Sequence, residues 1–173
     1  GRNEWRLWDP NRSKVAASVL KTKRDASALL PEAASTCLYL GASSGGTVSH
    51  IHDNVCGAGN HHGGQVVAVD ISPRMMRNLV KLAERRQGLV PVLADARNPF
   101  AVAPYIRGKA DWLHQDLSIG DQAETFVSMT SAFLKQGGAA LLSLKAASER
   151  WMEGGDDARF EHTKSIIEGC QHL

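Results

Sequence analysis

At 173 residues, 43% of them apolar and 22% charged, the chain has the size and composition of one folded domain with a single core, neither disordered nor fibrous. A formal net charge of +2 is too small to imply nucleic-acid binding by itself and is compatible with a local basic patch. No apolar run approaches the roughly 20 residues of a membrane span, no basic–apolar–small leader opens the sequence, and three widely spaced cysteines, Cys37, Cys56 and Cys170, predict free thiols in a reducing, intracellular compartment.

In chain order, Trp5, Trp8 and Pro10 precede Arg12-Ser13-Lys14, and Val15, Ala16, Val19 and Leu20 give a short helical stripe. Thr36–Leu40 reads as the first strand, ending at Gly41, and 47–55 as the helix after a turn of small residues. Cys56–Gly64 is a loop by composition. A second strand covers 66–69. Ser72-Pro73 then opens a helix whose expected apolar face is Met75, Leu79, Leu82 and Ala83. The third strand is expected over 89–94, ending at Asp95-Ala96-Arg97, and the fourth over 110–114, ending at Asp116. Asp121 is expected to cap a helix with a stripe of Ala123, Phe126, Val127, Met129, Thr130 and Phe133. The pair Gly137-Gly138 is expected to end it, with a fifth strand over 139–144 leading to Lys145. Strands alternating with helical patterns predict a parallel sheet covered on both faces.

The polar residues fall where the apolar strands stop. Asp70, Asp95, Asp116 and Lys145 each sit at or just past a strand's C-terminal end, the edge where open α/β sheets bind ligands. Gly41 to Gly46 leaves few side chains over a turn that opens a helix, so a ligand can approach backbone N–H groups there. The spacing Gly41-x-x-x-Gly45-Gly46 lacks the Lys-Ser/Thr of a phosphate-binding loop and is not Gly-x-Gly-x-x-Gly, which disfavours a nicotinamide dehydrogenase. A looser turn with acidic strand ends suits a nucleoside without phosphates. S-adenosylmethionine is such a ligand, with its ribose at Asp70, its adenine edge near Asp95 and Ala96, and its methionine tail near Gly41 and Asp116.

Blander readings stand beside these. Asp70 and Asp95 could cap turns, the latter with Arg97. His50, His52, Cys56, His61 and His62 do not follow the paired spacing of structural zinc sites, and no metal is expected. Arg74, Arg77, Lys81, Arg85 and Arg86 form a helix face that is either solvated or laid along RNA phosphates. Trp5, Trp8 and Trp112 are expected to be core or interface anchors.

Several blocks together resemble the fibrillarin RNA 2′-O-methyltransferases. They are Trp8-Asp9-Pro10-Asn11-Arg12-Ser13-Lys14-Val15-Ala16-Ala17, Leu38 to His50 (Leu-Tyr-Leu-Gly-Ala-Ser-Ser-Gly-Gly-Thr-Val-Ser-His), Val67 to Ser72, Asp95-Ala96-Arg97, Asp116, Asp121-Gln122-Ala123 and Leu144-Lys145-Ala146. The resemblance implies a Rossmann-like S-adenosylmethionine-dependent methyltransferase fold, a mostly parallel α/β sheet, in one domain spanning 1–173. The family's N-terminal small domain and its C-terminal strand pair are expected to be missing from this stretch. It also implies cofactor contacts at Gly41, Ala42, Gly46, Thr47, Asp70, Ile71, Asp95, Ala96, Asp116, Leu117, Ser118 and Ile119. Lys14, Asp116 and Lys145 would be the reactive residues, Lys145 as base for the ribose hydroxyl and Lys14 as its orienter and tuner. Asp70 stands where the family usually has Glu, and Asp116-Leu117-Ser118-Ile119 where it has Asp-Val-Ala-Gln. The implied setting is a box C/D ribonucleoprotein with guide RNA, target rRNA, a Nop5/Nop56/58-type scaffold protein and a kink-turn-binding protein. That would place the chain in the nucleolus of a eukaryote or the cytoplasm of an archaeon. The rival readings are a stand-alone FtsJ/RrmJ-type RNA 2′-O-methyltransferase and a non-catalytic ribonucleoprotein subunit that keeps the fold.

Overall fold

The computed structural model describes residues 5–23, 25–149 and 151–170. Its strands are β1 (Thr36–Leu40), β2 (Gln65–Asp70), β3 (Leu89–Leu93), β4 (Ala110–Gln115) and β5 (Leu134–Leu142), and its helices are α1 (Lys14–Lys21), α2 (Gly46–Cys56), α3 (Pro73–Ala83), α4 (Pro99–Val102), α5 (Gln122–Phe133) and α6 (Gly155–Gly169). The described strands form one sheet in the order β3-β2-β1-β4-β5, and every pairing is parallel.

Both faces of the sheet are buried, which is why its central strands are continuously apolar rather than alternating. Cys37, Tyr39, Val66, Ala68 and Trp112 share one core with Val15 of α1, Val48, Ile51 and Val55 of α2, and Met76 and Leu79 of α3. Leu38, Leu40, Val67, Val69 and Leu113 point the other way, into a second core with Val102 of α4 and Phe126, Met129 and Phe133 of α5. Fully burying each such aliphatic side chain stabilises the fold by about 1.5–3 kcal/mol, so two cores on one sheet hold the strand ends in fixed register.

Local signals set the helix starts. Ser13 caps α1 by accepting from Ala16 N–H (3.3 Å), and Ser72 caps α3 from Met75 N–H (3.4 Å) with Pro73 in its first turn. Asp121 occupies the cap position of α5, but its side chain bonds no cap N–H.

Four expectations need correction. The buried methionine of α3 is Met76, beside the expected Leu79, with Met75 only partly covered, because the helix turns the side chain at 76 inward. On α5, Gln122 and Thr125 are buried while Val127 is partly exposed. Helix α5 ends at Phe133, and β5 runs from Leu134 through Gly137-Gly138 to Leu142 instead of over 139–144. The glycines lie in a bulge: Ala110 pairs with Leu134 and Trp112 with Ala139, so the intervening β5 residues loop out opposite Asp111. Finally, α4 and α6 carry no element in the sequence reading. Chain order β1 to β3 runs outward on one side of β1 while β4 and β5 lie on the other, so the direction of winding reverses between β1 and β4. That reversal opens a crevice at the carboxyl ends of those two strands.

Candidate active site at the carboxyl ends of the strands

Gly41 follows β1 and Asp116 follows β4, and the two meet at the crevice. Asp116 N–H donates to Leu40 O (2.8 Å), carrying the β1–β4 ladder one residue past β4. Gly41 has φ of +85°, and a Cβ built on it would lie 2.2 Å from the carbonyl oxygen of Asp116. A side chain there would push the strand ends apart, so glycine is what lets the two backbones touch.

Asp116 joins the two lysines. Lys14 Nζ, on the first residue of α1, donates to Asp116 Oδ1 and Oδ2, each at 2.7 Å. Lys145 Nζ, three residues past β5, lies 2.9 Å from Asp116 Oδ1 and donates to Ser118 Oγ at 2.9 Å. Burial alone would raise the Asp116 pKa, but the hydrogen bonds and charges of Lys14 and Lys145 outweigh it and hold the carboxyl below its ordinary range. The three groups come from positions 14, 116 and 145 and occupy one small polar cluster, as expected from the sequence.

The glycine turn is held by the second acidic strand end. Asp70 Oδ2 accepts from Ser43 N–H (2.7 Å) and Oδ1 from Ser72 N–H (2.8 Å), so the carboxylate links the turn after β1 to the start of α3. Each oxygen accepts one of these bonds and retains a lone pair for a hydroxyl. Ile71 beside it is 65% exposed, an apolar surface next to a carboxylate at a ligand-binding edge. Ala42 is buried, its N–H and that of Gly41 both donating to Val69 O at 2.9 Å. A Cβ on Gly46 would meet no atom within 4 Å, so the first turn of α2 faces open space. Thr47 donates to Ser13 Oγ (3.0 Å), tying α2 to the cap of α1 one residue before Lys14.

Asp95 and Ala96 lie farther along the same edge. Ala96 is buried in the second core. Asp95 is engaged by Arg97, whose Nε and Nη2 donate to its two oxygens (3.1 and 2.7 Å). The turn-capping interaction with Arg97 is therefore present, and the hydrogen bonds from Arg97 hold the Asp95 carboxyl below its ordinary range. Leu117 packs partly against the second core and would be the third neighbour of a Cβ on Gly41, at 3.1 Å. Ser118 lies at the cluster through Lys145, and Ile119 is half-buried.

The sequence reading missed His114. It is buried under Asp116, its Nε2 bonded to Ser143 Oγ (2.8 Å) and its ring edge-on to Tyr39 at 4.6 Å. Burial, only partly offset by Asp116 and reinforced by Lys14 and Lys145, depresses its pKa to about 4. A neutral ring beneath the cluster adds no third positive charge. The alternation of β4 could have flagged an inward side chain at 114, but not its partners.

The histidine-rich stretch around α2 has its own arrangement. His50 stacks on Trp8 (5.0 Å), His52 bonds Gln87 O (2.8 Å), and His61 packs edge-on against His62. Trp112 is a core residue, whereas Trp5 is 90% exposed.

Known proteins resemble this chain in sequence and in fold. The family model described as Fibrillarin matches residues 1–165. A curated relative from Methanothermobacter thermautotrophicus, a fibrillarin-like rRNA/tRNA 2′-O-methyltransferase, is 39% identical over 148 residues, covering 86% of this chain and 62% of the relative. Among solved structures, a fibrillarin/Nop5p complex superposes with a TM-score of 0.81 at 30% identity, covering 97% of this chain and 75% of that one. Aeropyrum pernix fibrillarin with natively bound S-adenosyl-L-methionine gives 0.72 at 29% identity, covering 91% and 65%. The chain thus spans about three fifths of the length of that curated relative. With the family model matching residues 1–165 and the fold superposing on a solved fibrillarin over 97% of its length, this chain belongs to the fibrillarin family.

Proposed function

We propose that this chain carries the catalytic domain of an S-adenosylmethionine-dependent enzyme that methylates ribose 2′-hydroxyls in rRNA or tRNA. The observation that carries the reading is the Lys14–Asp116–Lys145 cluster, set against the glycine turn at the point where the sheet reverses direction. The residues present fit the cofactor. Gly41, Ala42, Gly46 and Thr47 would border its methionine portion, Asp70 its ribose hydroxyls, and Ile71, Asp95 and Ala96 its adenine, with 116–119 closing the opposite side. When bound, S-adenosylmethionine supplies a methyl group made electrophilic by a sulfonium.

The chain's own residues address the nucleophile. A ribose hydroxyl attacks poorly until its proton is removed, and a positioned base contributes roughly 10²–10⁴-fold to such a step. Lys145 Nζ, beside Asp116 at the crevice, is the group assigned to take that proton. Asp116 fixes Nζ and its negative charge favours a cationic donor nearby, while Lys14, bonded to both Asp116 oxygens, keeps the carboxylate oriented.

We assign the chain to a guide-RNA ribonucleoprotein, docked on a Nop5/Nop56/58-type scaffold beside a kink-turn-binding protein. In support, a structural relative is a complex with Nop5p, and the net charge of +2 suits an enzyme that relies on partners for RNA affinity. Isothermal titration with S-adenosylmethionine tests the reading. Micromolar affinity, about −8 kcal/mol, is expected. Absence of binding by the folded chain would overturn it and leave a non-catalytic docking subunit.

A further inference from the structure

Lys145 presents Nζ to Asp116 from a stretch that the sheet no longer holds. The last β4–β5 bond there is Ser143 N–H to Gln115 O (2.9 Å), and β5 ends at Leu142. Yet both backbone groups of Lys145 are bound by one buried side chain. Lys145 N–H donates to Gln122 Oε1 (2.9 Å), and Gln122 Nε2 donates to Lys145 O (3.0 Å). A carboxamide with one acceptor and two donors completes both halves of a strand-like pairing, which no carboxylate or hydroxyl of that reach does.

The amide is itself fixed. Its second donor interaction goes to Glu149 Oε1 (3.2 Å), and Gln122 O accepts from Gln115 Nε2 (2.8 Å). Gln115, Gln122 and Glu149 are all at most 2% exposed, so these bonds are shielded from water. Gln115 immediately precedes Asp116. One buried network therefore fixes the backbone on both sides of the Asp116–Lys145 ion pair.

We infer that Gln122 is a positioning residue, whose side-chain amide clamps the main chain of Lys145 and so sets its ammonium group against Asp116. The consequence for methyl transfer rests on the function proposed above; the clamp does not. Helix α5 begins at Gln122, so it contributes to the site through its first side chain.

Amide hydrogen exchange on the unmodified chain tests the clamp without any substitution. The Lys145 N–H, two residues beyond the last ladder bond, is expected to exchange at least roughly 10²-fold more slowly than an unstructured amide. Exchange at the unstructured rate would overturn the inference. The near-isosteric Gln122→Met supplies the functional arm. In the folded variant, brief reductive methylation read by mass spectrometry is expected to modify Lys145 about fivefold faster, with Lys14 changed less than about twofold. S-adenosylmethionine affinity is expected to hold within about threefold while kcat falls at least tenfold. A folded Gln122→Met with Lys145 labelling and kcat both unchanged would refute it. Protected exchange in an unmodified chain whose assembled particle transfers no methyl group would uphold the clamp and sink the enzymatic reading instead.

Discussion

Replacing Gly41 with alanine puts a methyl group where the β1 and β4 ends touch. The Cβ would sit 2.2 Å from the Asp116 carbonyl oxygen and 2.8 Å from its carbon, against an ordinary contact of 3.4 Å or more. Gly41 cannot swing away, because its own N–H and that of Ala42 are bonded to Val69 O at 2.9 Å. The backbones must then part by about 1 Å, and overpacking of that kind costs about 1–3 kcal/mol. The φ of +85° adds about 1–2 kcal/mol for a residue with a Cβ. Gly41→Ala is therefore expected to lose about 2–5 kcal/mol in urea unfolding. Moving Asp116 by that distance lengthens its 2.7 Å and 2.9 Å contacts with Lys14 and Lys145, and methyl transfer is expected to fall about 10²-fold. Gly46→Ala is the steric control for the unfolding experiment: its Cβ meets nothing within 4 Å, and stability should hold or rise. A Gly41→Ala protein within about 0.5 kcal/mol of the parent, transferring methyl groups at the parent rate, would refute the reasoning.

The buried His114 makes stability depend on pH. Its pKa is about 4 in the fold and about 6.5 in the unfolded chain, so between those values the unfolded state binds the proton. The contribution is whole above pH 6.5 and is lost as pH falls toward 4, amounting to about 3 kcal/mol. Urea unfolding from pH 7 to pH 4 should show it, and His114→Phe should flatten that slope; an equal slope in both proteins would remove the assignment. Asp116, with its carboxyl held low, acts in the same direction at lower pH: its stabilisation is present above the ordinary carboxylate range and lost as pH falls through its own pKa. Asp70→Ala removes the acceptor of both Ser43 and Ser72 N–H groups. It should cost about 1–3 kcal/mol and weaken S-adenosylmethionine binding at least tenfold by titration; unchanged affinity would show that Asp70 serves the turn alone.

The sheet was readable because its strands are buried on both faces and stop at polar residues. Leu38 and Leu40 face one core and Cys37 and Tyr39 the other, so β1 appears as an unbroken apolar run ending at Gly41. The same rule brought Asp70, Asp116 and Lys145 to one edge. What failed was punctuation. Gly137-Gly138 looks like a helix stop, yet it marks a bulge where a Cβ on Gly138 would come within 3.0 Å of Asp111 O. Helix α6 has Thr163 as its buried side chain and is polar around most of its surface, so no periodic stripe announces it. Gln122 at a helix start reads as a solvated residue until tertiary packing brings Lys145 to it. Ser118 also meets Lys145 Nζ in the fold, a contact that only the approach of 116–119 to the chain after β5 could reveal.

The most direct measurement is transfer of labelled methyl from S-adenosylmethionine to RNA ribose by the assembled particle, with this chain carrying either Lys145 or Lys145→Met. The expected result is loss of transfer by at least roughly 10²-fold with cofactor affinity retained. Methylation by Lys145→Met at the parent rate would contradict the role given to the Lys14–Asp116–Lys145 cluster.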